Sequence, residues 1–292
     1  MQQLKLSALT ILALLAFAAN SVLCRLALDA EQMDAANFTG IRLISAAITL
    51  SILVLLSNTH KTTELLTFGS WKAALYLFVY ATGFSFAYIS LPTAAGALVL
   101  FATVQFSMLG IAWYGGKRLT PTEIIGVLLS LLGLVYFLLP EVRSVNFSSS
   151  DLAGLFFMLL AGIAWALYTI AGKTSVNALQ DTAANFVRLL PLAMLIFFFA
   201  NPISSLSTQG IAYAIGSGAL ASGVGYAIWY QALPLLNPSL AAVSQLSVPI
   251  LAALGGLLLV NEPIDSHLVA SGSIILSGIL LVILARRAKP AV

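Results

Sequence analysis

The chain has 292 residues, 60% hydrophobic and 8% charged, with a formal net charge of +3. Soluble domains are roughly a quarter charged, so this composition excludes a water-solvated globule and requires most of the surface to face lipid. The charge comes from scattered groups with no basic tract, which argues against a nucleic-acid partner, and the single cysteine, Cys24, excludes an intrachain disulfide framework and a cysteine-rich metal site.

The first apolar run, 5–28, is long enough to span a bilayer. Leu23 before Cys24 stands where a lipoprotein signal needs a small residue, so the run is read as a span and not as a leader. Nine more runs follow, at 37–57, 71–90, 93–114, 122–139, 152–174, 182–200, 209–232, 238–260 and 267–285. All ten are expected to be helices, because a helix satisfies its own backbone polar groups in lipid. The fold class is therefore an all-α integral membrane protein of ten transmembrane helices. The connections are short and hold nearly all the charge.

Basic residues orient the chain. With the N-terminus inside, Lys5, Lys61, Lys72, Lys117, Arg118, Lys173, Arg286, Arg287 and Lys289 fall on the inner side. Arg25 and Arg143 fall outside, with Arg42 a turn or so into the second span. Both termini are expected in the cytoplasm.

An internal repeat divides the chain. The stretch 225–262 combines an aromatic helix end, a Pro-Asn-Pro turn, an apolar helix holding Pro249, a Gly-Gly pair and an Asn-Glu-Pro stop. About 145 residues earlier, 80–117 has the same outline. Asn37-Phe38 and Arg42 are echoed by Asn185-Phe186 and Arg188. Gly126 and Gly133 are echoed by Ser271 and Gly278. The halves are 5–140 and 152–285. Five spans in each force the second half to enter the membrane upside down, the inverted-repeat plan of secondary transporters, with a site at mid-membrane between halves.

Each repeat ends in a turn followed by a Gly-rich helix: Gly116-Lys117-Arg118-Leu119-Thr120 in the first, Val260-Asn261-Glu262-Pro263-Ile264 in the second. This pairing resembles the EamA type of the drug/metabolite transporter superfamily. Lys117 stands where the family commonly has Glu, and Glu262 keeps it. The Trp common in the first helix of each repeat is absent near Ala18 but present as Trp165. In general character the chain is most similar to the YddG-like amino-acid exporters. The resemblance implies a carrier in the bacterial inner membrane whose cavity is lined by the first, third, fourth, sixth, eighth and ninth spans.

Little in the sequence supports enzyme chemistry. His60 and His267 lie at loop edges, no carboxylate falls in mid-span, and there is no phosphate-cradling glycine loop. No cofactor or metal is expected. The missing mid-span acid also favours facilitated export over proton coupling.

Polar residues in mid-span are the first site candidates: Asn20, Gln105, Ser244 and Gln245. Their ordinary role is a hydrogen bond between helices, worth about 0.6 kcal/mol on average. Their functional role would be to line a cavity and bind the amine or carboxylate of an amino acid. Among aromatics, Tyr80, Trp165, Tyr168, Tyr226 and Trp229 sit deep enough to line it. An aromatic pocket with a few polar groups suits an amphipathic solute. Arg42 and Arg188 are better read as paired anchors that snorkel to the two interfaces. Pro249 is expected to kink the ninth span as a hinge, and Pro191 to kink the seventh.

The expected function is export of aromatic or other neutral amino acids, or related small metabolites, by alternating access. The partners are that small-molecule cargo and the lipid bilayer. The oligomeric state is open, with a monomer compatible. The rivals are a drug or other metabolite carrier of the same superfamily, and a passive solute channel.

Overall fold

A computed structural model describes residues 2–29, 32–57, 62–116, 119–143, 149–172, 175, 177–202, 206–236 and 244–287. Lys61, Lys117, Arg118, Lys173, Lys289 and His60 lie outside the described residues, as does the segment 237–243 that begins the expected ninth span. Among the described residues the regular structure is helical, without strands.

The helices are α1 (Gln2–Leu28), α2 (Ala35–Leu56), α3 (Trp71–Ala87), α4 (Thr93–Tyr114), α5 (Pro121–Arg143) and α6 (Ser149–Ala171). They continue with α7 (Ala178–Arg188), α8 (Leu190–Ile196), α9 (Thr208–Gly216), α10 (Gly225–Ala232), α11 (Ser247–Gly255) and α12 (Ser266–Arg287). Starts are set by side chains that accept from free backbone N–H groups: Asp34 for α2, Ser70 for α3, Asn177 for α7 and Ser207 for α9.

Among the described residues, six helices, with α9 and α10 counted as one, are long and apolar enough to cross a membrane, or seven if α7 and α8 form one span. That is fewer than the ten expected. The third expected span is the 17-residue α3. The fifth is the 23-residue α5, and the ninth contains the shorter apolar stretch Ser247–Val260. The seventh is bent by 41° where α7 meets α8. Pro191 sits in the first turn of α8, and its missing N–H and its constraint on Leu190 account for the break.

Two segments wind more widely than an α-helix. Ser217–Val224 is π-helical and joins α9 to α10 without interrupting the span; the Gly225 N–H reaches back five residues to the Leu220 carbonyl. Gly256–Val260 does the same after α11 and ends at Asn261, whose φ of 59° is left-handed. Such wide turns occur mostly as local insertions and often at functional sites.

Helix α1 occupies the middle of the bundle, packed on α4, α9, α10, α11 and the 217–224 turn. Helix α6 packs on α3 and α4, and α2 on α7, α8, α9 and the same wide turn. Gly218 allows that last approach, since a Cβ there would stand 2.2 Å from the Arg42 carbonyl oxygen. Helices α5 and α12 form a separate pair, tied to α4 through Leu98, Ala102, Ile275 and Ile279. Large apolar side chains such as Phe198, Leu132 and Leu258 remain exposed, as a lipid-facing surface requires.

Candidate substrate chamber

Trp165 is the hub of the interior. Its ring lies 4.7 Å from Tyr80, 5.2 Å from Tyr226, 5.6 Å from Tyr168 and 6.4 Å from Phe17, centroid to centroid. These rings come from α1, α3, α6 and α10, so one side chain gathers both halves of the chain. Pairs at such spacing attract beyond their area burial. All of these rings but that of Tyr168 wall a chamber also lined by Asn20, Ser21 and Phe84. About 20 Å³ of it is wide enough for water, room for about one molecule.

Behind Asn20, which lines the chamber, lies a polar cluster built on the wide turn. Ser217 Oγ donates to Asn20 Oδ1, and Asn20 Nδ2 donates to Ser222 Oγ at 3.4 Å. Ser217 and Ser222 are five residues apart, so i→i+5 winding stacks them on one face where α winding would not. Ser222 Oγ also accepts from Arg42 Nε at 3.2 Å. All four side chains are buried.

Arg42 departs from the expected anchor. Its residue exposure is 1%, and its guanidinium sits 4.9 Å from the Phe84 ring centre and 5.6 Å from that of Tyr80. Its repeat counterpart behaves differently: Arg188 donates to the Leu66 and Phe68 carbonyl oxygens at the edge of the bundle.

A second, wider cavity opens beyond Tyr168, with about 240 Å³ wide enough for water. It lies at the start of α3 and α7 and the ends of α6 and α10. Asp181 and Asn185 frame it by accepting from the Gly69 and Ser70 N–H groups at 2.7 and 2.9 Å. Tyr168 lines this vestibule while its ring packs on Trp165, which lines the chamber. The two rings therefore stand between the cavities.

The opposite end is closed by charge. Arg25 Nε and Glu262 Oε1 pair at 2.9 Å, and Glu262 Oε2 accepts from the Thr93 N–H at 2.7 Å. Arg25 also donates to the Tyr88 carbonyl oxygen at 3.1 Å. The left-handed Asn261 and the Glu262 N–H bond to the Gly256 carbonyl turn this carboxylate back onto the start of α4.

Of the residues expected at the site, Asn20, Tyr80, Trp165 and Tyr226 line the chamber, and Tyr168 lines the vestibule. Trp229 is buried against Phe17, 5.5 Å ring to ring, behind the chamber wall. Gln105, Ser244 and Gln245 are half-buried and line neither cavity. Pro249 is buried in the first turn of α11, just beyond a break at Leu246 with helical residues on either side. Sequence reading missed Phe17, Ser21 and Phe84, and it missed the burial of Arg42. Phe17 and Ser21 share the α1 face of Asn20, at spacings of three to four residues that could have pointed to them. Among the described residues, no group of three or more His, Cys, Asp or Glu could hold a metal ion.

Comparison with known proteins agrees with this architecture. The model of the EamA-like transporter family matches residues 152–284. An uncharacterized protein of Pseudomonas aeruginosa is 44% identical over 97% of this chain and 96% of its own length. An uncharacterized transporter of Archaeoglobus fulgidus is 25% identical over 71% of this chain and 74% of its own. A solved crystal structure, 19% identical, aligns over 96% of this chain and 99% of its own with a TM-score of 0.68, which shows a shared fold. Residues 152–284 carry the match to the EamA-like transporter family, and relatives that align over about two thirds or more of this chain are named transporters.

Proposed function

We propose that the protein exports amino acids, aromatic or other neutral, or related small metabolites from the bacterial cytoplasm by alternating access. The observation that carries this reading is the asymmetry of the interior. A chamber of rings and hydroxyls is shut at one end by Arg25–Glu262 and separated from a wider vestibule at the other only by Trp165 and Tyr168. A channel needs a continuous path. A carrier needs a site that each end can seal in turn, and the two closures here differ in kind: one ionic, one aromatic.

Packing supports two inverted repeats, 5–140 and 152–285, as the frame. Helix α1 packs on α9 and α10 as α6 packs on α3, and α1 packs on α11 as α6 packs on α4. Ser130 Oγ donates to the Ile275 carbonyl at 3.1 Å, across a separation of 145 residues, the repeat interval. Contact between positions one repeat interval apart is what a two-fold axis between the halves would require, and it supports that frame. With both termini cytoplasmic in the inner membrane, the vestibule faces the cytoplasm and the Arg25–Glu262 closure faces outward.

The test is counter-flow in proteoliposomes over a panel of amino acids and metabolites. Saturable uptake driven by unlabelled cargo on the far side is the expected result. Uptake that does not saturate and shows no counter-flow would establish a channel and remove the carrier reading.

A further inference from the structure

We infer that Arg42 is the anchor for a carboxylate on the cargo, so that the chamber selects organic acids and amino acids and refuses the corresponding amines. This rests on the carrier reading and names the chemistry of the same site.

The argument begins with charge. An arginine stays protonated in proteins, so its burial places a permanent cation inside the bundle. Among the described residues no carboxylate is seen paired with it, whereas Arg25 is paired with Glu262. The ionisable side chains that face the guanidinium are the Tyr80 and Tyr226 hydroxyls and the Cys24 thiol, none of them a carboxylate. Ser222 accepts from Nε, and the Tyr80 and Phe84 ring faces offset part of the charge. Atom Nη1 is buried and has no hydrogen-bond partner.

A buried cation without a counter-ion is costly, and one retained within a membrane span points to a function. Structural duty does not account for it here. Arg188, at the equivalent place in the second repeat, spends its donors on loop carbonyls. Nη1 of Arg42 has no acceptor, and it stands beside the chamber wall formed by Tyr80 and Phe84. The Tyr226 hydroxyl, which belongs to a chamber-lining residue, is also buried without a partner. A carboxylate between these two groups would take one hydrogen bond from each. The rings of Trp165, Phe17 and Tyr80 would hold its apolar remainder. A cationic amine finds no carboxylate in this wall and meets the repulsion of Arg42. The chamber therefore does not require an ammonium group on the cargo, but it does require the acid.

Purified protein titrated with matched probes tests this directly, using the change in tryptophan fluorescence from Trp165 at the chamber wall. The probes are L-phenylalanine, 3-phenylpropionate and phenethylamine, with L-alanine, propionate and ethylamine as a smaller set. At least one of the two acids is expected to bind, and its amine partner is not. Arg42→Gln should weaken acid binding about tenfold or more, and Arg42→Lys, which keeps a point charge without the fork, should recover part of it. The idea is overturned if an amine binds as tightly as its acid, if neither acid binds, or if folded Arg42→Gln binds the acid within twofold of the parent. The comparison of probes on the unaltered protein decides the matter even if the variants fail to fold. Arg42-dependent acid binding without any counter-flow would remove the carrier reading and keep the anchor. Counter-flow of amines alone would do the reverse.

Discussion

Arg25 and Glu262, 237 residues apart in sequence, meet at 2.9 Å across the end of the chamber. The pair joins the last turn of α1 to the segment after α11, and its second carboxylate oxygen holds the start of α4. Three elements are thus fastened by one carboxylate. Any state that opens this end must release it.

Glu262→Gln should therefore raise the population open at this end. Loss of a charge-assisted hydrogen bond is worth roughly 1.5–3 kcal/mol, which corresponds to about tenfold or more in population. Cys24, the single cysteine, is fully buried one residue from Arg25 and reports the change. Its labelling by a membrane-impermeant maleimide should be slow in the parent and about tenfold faster in Glu262→Gln. Equal rates would show that the pair does not hold the end shut.

Trp165→Ala should cut counter-flow by about tenfold while leaving detergent-soluble, monodisperse protein. It removes the ring that touches Tyr80, Tyr226, Tyr168 and Phe17, and ring pairs contribute about 0.5–1.5 kcal/mol each beyond area burial. Gln245→Ala, outside both cavities, should cost transport less than Trp165→Ala does. The reverse order would place the cargo nearer α11 than the chamber allows.

Gly278→Val should destabilise the α5–α12 pair. A Cβ at Gly278 would stand 2.5 Å from the Gly126 carbonyl oxygen, and one at Gly126 would stand 2.7 Å from that of Gly278. Forcing a side chain into such a contact costs about 1–3 kcal/mol, a fall of several degrees in melting temperature for a chain of this size. Transport per folded molecule should change little, because this pair lies away from the chamber. A melting temperature equal to that of the parent would sink the close-contact argument.

Pro249→Ala should slow transport more than it lowers the yield of folded protein. Pro249 is buried just past the helix break at Leu246, and alanine restores a backbone donor there. An unchanged counter-flow rate would end the hinge proposal.

The all-helical, apolar character was legible because apolar length leaves a trace in the sequence. Depth along a span is legible too, and Asn20, Tyr80, Trp165 and Tyr226, chosen for depth, line the chamber. Facing was harder. Gln105 and Gln245 have similar depth to these residues but line neither cavity, and nothing in an almost uniformly apolar helix reveals which side faces inward. The Arg42 side chain is long enough to reach an interface, so the sequence allowed both anchoring and burial. The deciding fact was the close approach of the 217–224 turn, permitted by Gly218 at the Arg42 carbonyl. The Arg25–Glu262 contact is tertiary and spans nearly the whole chain, so no local pattern announces it. Span length misled for a related reason: α3 and the α7–α8 pair are shortened or bent by capping and by Pro191, which a hydropathy window averages away.

The wide turn at Ser217–Val224 also bears on how such carriers diversify. A π-type turn amounts to one surplus residue accommodated locally in an α-helix, with the flanking helix on either side undisturbed. Removing a single codon there would restore ordinary winding. If the lost residue is Gly223 or Val224, Ser217 and Ser222 stay five apart, ordinary winding no longer puts them on one face, and Asn20 and Arg42 lose the hydroxyl they have in common. If it lies between the two serines, they become four apart and still share a face. Which codon goes thus decides whether the polar cluster behind Asn20 survives.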